Sequence, residues 1–218
     1  MENGATEKES LWTPKNRKLL TDPFNDDNPI TVQVLGVCSA LAVTTQLKTA
    51  FVMALSVMVV LVFSNVIVSL MRNTIPSRIR MIVQLVVVAG LVIMVDQVLQ
   101  AFAYDVSRQL SVYVGLIITN CIIMGRLEAL AMSSKPSAAF FDGLGNGFGY
   151  GAILIAVSFF RELFGAGSLF GYKVIPQAMY DMGYENNGIM LTSAAAMFII
   201  GIIIWIQRSR NTKLIDAS

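Results

Sequence analysis

Thiol sulfur is the only side-chain chemistry in this chain that points to a soft metal, and it occurs twice: at Cys38 in VLGVCSALAV and at Cys121 in LIITNCIIMG. Each cysteine sits in the middle of an apolar run. A buried cysteine in such a run often serves as no more than a small hydrophobe. A structural disulfide is a second bland reading, and hydrocarbon away from the oxidising compartment is a poor place to form one. The sharper reading is iron–sulfur ligation, which takes about four thiolates. Two cysteines are half a set, so this reading requires a partner chain, a relative of this one, to supply the other two. The chain has no histidine, so imidazole ligation of zinc or haem and a histidine proton relay are excluded.

The elements that must position these thiols lie in a membrane. The chain is 55% hydrophobic and 14% charged over 218 residues, with a mean hydropathy of +0.65. One water-soluble core of this length cannot absorb that much apolar surface. A net charge of +2 leaves no basic surplus for nucleic acid. The first 27 residues are polar and mixed in charge, without the apolar segment and small-residue cleavage site of a secretory signal. They read as a retained cytoplasmic tail.

Six apolar stretches follow, at about 29–46, 50–71, 80–101, 111–126, 144–161 and 189–206. The first is predicted to open with Asn28 as a cap and Pro29 in the first helical position. The second is predicted to end in the basic turn MRNTIPSRIR, where Pro76 cannot continue a helix. The segment 163–188, rich in Gly and Tyr, reads as an extramembrane loop.

Positive charge sets the orientation. With the N-terminus inside, Lys8, Lys15, Arg17, Lys18, Arg72, Arg78, Arg80, Arg126, Lys135, Arg208, Arg210 and Lys213 fall on the cytoplasmic side. Lys48, Arg108, Arg161 and Lys173 fall outside. Six spans therefore place both termini in the cytoplasm.

The two halves mirror one another: each begins with a short span carrying a mid-span cysteine and continues with a longer one. Ser64-Asn65 and Gly145-Asn146 echo the spacing of the cysteines. Because three spans precede the second half, it enters the membrane inverted. The expected fold is an all-α integral membrane protein with six transmembrane helices in an inverted 3+3 repeat. Residues 1–27 form the tail, 28–104 the first three-helix repeat, and 105–218 the second. Roughly 16 residues of helix reach only about 24 Å against about 30 Å of hydrocarbon, so the first and fourth helices are expected to be short or broken. That pattern directs attention to a site at the bilayer midplane.

Polar residues beside the thiols fit such breaks. Ser39, Thr119 and Asn120, with backbone N–H groups freed at the breaks, are candidate donors around the sulfurs. Asp96, near the outer end of the third span and close to Asp105, is a candidate for an ion path or an interfacial anchor. Gly143, Gly147 and Gly151 recur every four residues and permit close helix approach. They do not form a dinucleotide-binding glycine pattern. Arg126 with Glu128, and Arg161 with Glu162, flank span ends and read as anchors or ion pairs at a subunit contact. The twelve methionines read as adaptable apolar filler. No span interior carries a clear charge, which argues against a transporter acting alone.

The stretches NPITVQVLGVCSALAVTTQLKTAFVMALSV, DQVLQAF, QLSVYVGLIITNCIIMGRLEALAM, DGLGNGFGYG and FFRELFGAGSLFG resemble the D subunits of the bacterial sodium-translocating NADH:quinone oxidoreductase. The likeness runs from Asn28 to about Ile206; the N-terminal tail is longer and more polar than the family pattern. The resemblance implies a six-helix, multi-pass subunit of the bacterial inner membrane, within a six-subunit complex. It implies pairing with the homologous E subunit, the two holding one [2Fe–2S] cluster through two cysteines each. Cys38 and Cys121 stand at the matching positions. It further implies electron relay between flavins held by other subunits, with NADH and quinone also bound elsewhere, and coupling to sodium export. No active site of its own and no nucleic-acid partner are expected. The corresponding subunit of the Rnf complex, which couples ferredoxin and NAD, is the runner-up. A membrane assembly scaffold is the non-redox alternative.

Overall fold

A computed structural model describes Leu20, Pro23, residues 28–76 and 78–102, Tyr113, and residues 115–173 and 188–210. Apart from Leu20 and Pro23 the N-terminal tail lies outside the described residues, as do Asp105 and Arg108, residues 174–187 of the expected loop, and the tail from 211.

Among the described residues four helices are long and apolar enough to cross a membrane: Leu47–Met71, Arg80–Ala101, Pro136–Gly165 and Ser193–Arg210. The chain is thus a mostly helical, multi-pass membrane protein. We number the helices α1 (Val37–Val43), α2 (Leu47–Met71), α3 (Arg80–Phe102), α4 (Cys121–Arg126), α5 (Pro136–Gly165) and α6 (Ser193–Arg210). At about 1.5 Å per residue, the 25 residues of α2 reach beyond the ~30 Å hydrocarbon layer. Arg208 and Arg210 close α6, where positive charge complements the C-terminal dipole. Large apolar side chains of α3 and α6, among them Ile82, Val86, Met94, Phe198 and Trp205, point outward, as a lipid or protein surround requires.

Among the described residues neither cysteine segment is one continuous helix of span length. Helix α1 has seven residues and α4 has six. The predicted helix start at Pro29 is corrected to Val37. Residues 29–32 form a turn, and positive φ at Val34 (56°) and Gly36 (80°) interrupts any continuous helix. Asn28 still acts locally, its Oδ1 accepting from the N–H groups of Ile30 at 3.0 Å and Thr31 at 3.3 Å. The fourth stretch breaks at Thr119-Asn120 between a helical piece at 115–118 and α4. Helix α4 then runs into a π-helical turn, Leu127–Ala131, with Met132 N–H bonded to Leu127 O at 3.2 Å.

Helix α5 begins at Pro136, eight residues before the predicted 144. Proline suits this first position, where its missing N–H costs no bond. The helix also continues to Gly165, past the predicted end at 161. Asp142, Arg161 and Glu162 therefore lie inside it and are buried, which corrects the expectation that no span carries interior charge. The loop after α5 opens with a small antiparallel hairpin, Ser168–Leu169 against Tyr172–Lys173. It is the only departure from helix among the described elements.

Helices α2 and α5 form the centre. A Cβ on Gly143 would lie 3.0 Å from Val62 Cα, one on Gly147 2.7 Å from Met58 Cγ, and one on Gly151 3.3 Å from Ala54 Cβ. The partners step backward by four as the glycines step forward by four, so α2 and α5 run antiparallel with nearly touching backbones. The glycine stripe is a packing surface.

Candidate metal centre

Cys38 occupies the first turn of α1, and Cys121 is the first residue of α4. The fold brings these two short helices together, joining Ser39 to Asn120 beside them, so that the Cys38 and Cys121 thiols are neighbours near enough to act on one another electrostatically. The backbone N–H groups of Ser39 and of Cys38 itself are directed at the Cys38 sulfur. Both cysteines are free and exposed on the surface of this chain. Neither is buried within this chain, and no disulfide joins them.

Behind the exposed sulfurs lies a buried polar ring. The Ser39 and Tyr150 hydroxyls are 2.6 Å apart. Asn120 Nδ2 donates to Ser39 Oγ at 3.4 Å and to Tyr150 Oη at 3.3 Å. Asn120 Oδ1 accepts from Ile122 N–H at 3.4 Å, capping α4. All three side chains have zero exposure. Gly36 closes the ring from one side: a Cβ there would meet Tyr150 Cε2 at 2.9 Å and Asn120 Oδ1 at 3.3 Å.

The structure thus brings Ser39 and Asn120 together behind the thiols. Thr119 does not join them; it is exposed and its hydroxyl donates back to Gly115 O at 3.1 Å. Tyr150 is absent from the candidates that the sequence suggests. It lies in a glycine-rich helix far along the chain from either cysteine, and only its position within the stripe hints at an inward face. Asp96 sits on α3, half-buried, with Oδ2 accepting from Gln100 Nε2 at 2.8 Å and Oδ1 without a partner.

The charged residues expected at span ends are internal to this chain. Arg126 is paired with Asp142, which is 1% exposed. Glu128 pairs with Arg80 and accepts weakly from Gln84. Arg161 and Glu162 are buried at the other end of α5. Arg126 with Asp142, and Arg161 and Glu162 with the helix ends around them, tie segments together within the subunit, while the Arg80–Glu128 pair stays exposed.

Chemically, two adjacent, exposed thiols are a soft donor pair for an iron–sulfur centre. Among the described residues no group of three or more His, Cys, Asp or Glu side chains could hold a metal. The donors present, two free thiols exposed on this chain, would fit half of a four-thiolate set.

Comparison with known proteins shows the family of the chain. The family described as Rnf-Nqr subunit, membrane protein, matches residues 16–204. A protein of Photobacterium profundum, named as the D subunit of Na(+)-translocating NADH-quinone reductase, is 60% identical over 94% of this chain and 98% of its own length. Proteins of the same name are 56% identical in Shewanella sp. strain ANA-3, covering 92% of this chain and 96% of theirs, and 55% identical in Shewanella halifaxensis over the same shares.

Proposed function

The chain belongs to the Rnf-Nqr family of membrane subunits, and from that premise we propose that it is the D subunit of a sodium-translocating NADH:quinone oxidoreductase. In this reading it pairs with the homologous E subunit, and Cys38 and Cys121 supply two of the four thiolates of one intramembrane [2Fe–2S] cluster. The observation that carries the reading is the pair itself: two thiols adjoining one another and both turned outward from the subunit. The near full-length relatives that bear the quinone-reductase name favour it over the Rnf complex.

When bound, such a cluster supplies one-electron transfer. The chain's own residues do the rest. Cys38 and Cys121 ligate. The Ser39 and Cys38 amides donate to sulfur and offset negative charge in a low-dielectric setting. The ring of Ser39, Asn120 and Tyr150 supports both ligand segments from behind. No bond-making step belongs to this subunit. NADH, flavins and quinone are bound by other subunits of the six-subunit complex, and the relay is coupled to sodium export, with Asp96 a candidate for the ion path.

The same reading places the subunit in the bacterial inner membrane with both termini cytoplasmic. It treats α1 to α3 and the segment from about 111 through α6 as an inverted 3+3 repeat with six crossings. Antiparallel α2 and α5, the second helices of the two halves, support that symmetry. So does the short helix that opens each half beside a cysteine.

The deciding experiment counts iron and acid-labile sulfide in the purified complex, comparing wild type with Cys38→Ser and Cys121→Ser after confirming that every subunit is retained. Each variant is expected to lose both irons and both sulfides and to stall electron flow between the flavins. Unchanged iron and turnover would leave the subunit a membrane scaffold.

A further inference from the structure

The two cysteines are joined through their neighbours rather than through their own backbone. Ser39 follows Cys38, Asn120 precedes Cys121, and no chain segment links them directly. Ser39 and Asn120 meet directly in one long contact of 3.4 Å, and the tie is completed by Tyr150, on a third helix, whose hydroxyl contacts both.

Counting protons shows how complete the link is. Ser39 Oγ donates to Gly36 O at 2.8 Å, which spends its one hydrogen. The 2.6 Å contact with Tyr150 must then be donated by the phenol. Asn120 Nδ2 gives one hydrogen to each oxygen. No atom of Ser39, Asn120 or Tyr150 is left without a partner, so the ring is closed. A closed buried network holds one geometry, whereas a half-satisfied one is costly and loose. The ring reaches the thiols through the chain, because Ser39 and Asn120, whose side chains it fixes, are the residues next to Cys38 and Cys121.

We propose that Tyr150 is a positioning residue for the thiol pair: its hydroxyl locks Ser39 and Asn120 together and thereby sets the spacing of the Cys38 and Cys121 sulfurs. The redox consequence rests on the cluster reading above; the spacing itself does not. Phenylalanine at 150 keeps the ring's packing volume but removes the donor to Ser39 and the acceptor for Asn120, leaving α1 tied to α4 there only by the 3.4 Å Asn120–Ser39 contact. The Gly36 contacts argue the same way, since the tyrosine ring has no room to slide toward α1.

The test uses the assembled complex in wild-type, Tyr150→Phe, Ser39→Ala and doubly substituted forms. First, iron is removed under reducing conditions and the complex is treated with dibromobimane, which bridges two thiols a few ångströms apart. Bridging is read by mass spectrometry as the peptide pair containing Cys38 and Cys121. Each single variant is expected to lower the bridging rate by about fivefold or more, since each removes at least one buried hydrogen bond of ordinary net strength. The double variant should do little more, because both changes open the same ring. Second, in the iron-loaded complex, Tyr150→Phe is expected to retain its iron while the cluster's midpoint potential and electron paramagnetic resonance line shape move from wild type.

Unchanged bridging together with an unchanged potential overturns the proposal. If Tyr150→Phe does not assemble, the smaller Ser39→Ala change decides by the same two readings. If Cys38→Ser and Cys121→Ser keep all their iron, the cluster reading fails on its own, and the bridging rate still decides the role of Tyr150.

Discussion

The Glu162 carboxylate accepts the amide N–H of Leu47 at 2.6 Å, across 115 residues of chain. Leu47 is the first residue of α2, so a side chain of α5 caps a helix it does not belong to. Its neighbour serves the other side of the same break. Arg161 donates to Thr44 Oγ1 at 2.6 Å and to Leu41 O at 3.3 Å, where α1 ends. It also donates to the carbonyls of Met190, Leu191 and Thr192 ahead of α6. Among the described residues no carboxylate pairs with this guanidinium. Carbonyl oxygens at helix ends, carrying partial negative charge, stand in for a counter-ion.

If Glu162 acts as a cap, the acceptor matters more than the charge. Glu162→Ala leaves the Leu47 N–H buried and unpaired and is expected to cost about 1–3 kcal/mol. Glu162→Gln keeps an acceptor oxygen and should cost clearly less. Thermal unfolding of the purified complex measures both, and equal losses for Ala and Gln would sink the cap assignment.

Arg161 should be intolerant even of lysine. Its planar fork reaches five acceptors in several directions, whereas an ammonium has three donors on a flexible stem. Arg161→Lys is expected to lower the amount of assembled complex nearly as far as Arg161→Met. Full assembly with lysine would show that charge, and not the fork, is what the site needs.

The glycine stripe should show a graded response. Alanine at 143 would press on the Val62 backbone at 3.0 Å, and alanine at 147 on Met58 at 2.7 Å; each is expected to destabilise by about 1–3 kcal/mol. At 151 the contact is an ordinary side chain at 3.3 Å. There the helix-propensity gain of roughly 1 kcal/mol offsets the crowding, leaving Gly151→Ala near neutral. Melting temperatures of the three variants test the order, which uniform damage would contradict.

Much of this architecture is visible in the sequence because a membrane enforces simple rules. Length and apolar content locate α2, α3, α5 and α6, and four-residue glycine spacing locates the α2–α5 contact. The paired thiols stand out because no other soft ligand is present. What the sequence hides is long-range polar satisfaction. Glu162 looks like a span-end anchor until its acceptor role at Leu47 is seen, and Tyr150 looks like filler in a glycine-rich helix. Hydropathy reports the average character of a segment, while a buried hydrogen bond depends on which atoms meet across more than a hundred residues. The starts of α1 and α5 escape the sequence for a related reason. A positive φ at Val34 and a proline accommodated at a first helical turn are backbone events that an apolar run conceals.

Arg126 and Asp142 form a buried pair linking α4 to α5, and Asn146 Nδ2 adds a 3.0 Å bond to Asp142 Oδ1. Removing one partner strands a charge, so Arg126→Met or Asp142→Leu alone is expected to cost about 3–5 kcal/mol. The double substitution Arg126→Met with Asp142→Leu should recover most of that loss. A double-mutant cycle on unfolding of the complex reads the coupling; additive losses would mean the two groups act independently.

Asp96 presents a different physical problem, because its environment within this chain is incomplete. One carboxylate oxygen is held by Gln100 and the other is buried without a partner, while α3 as a whole is little buried within this chain. Among the described residues no cation pairs with this carboxylate, and a carboxylate at membrane depth calls for a positive partner. If a sodium ion supplies it in passage, Asp96→Asn keeps the side-chain shape and an acceptor for Gln100 while removing the attraction. The sodium concentration for half-maximal quinone reduction is then expected to rise severalfold, with NADH oxidation by the flavin-bearing subunit unaffected. An unchanged sodium dependence would place Asp96 as an interfacial anchor facing a neighbouring subunit, where a charge-reversing change, Asp96→Lys, should instead reduce assembly.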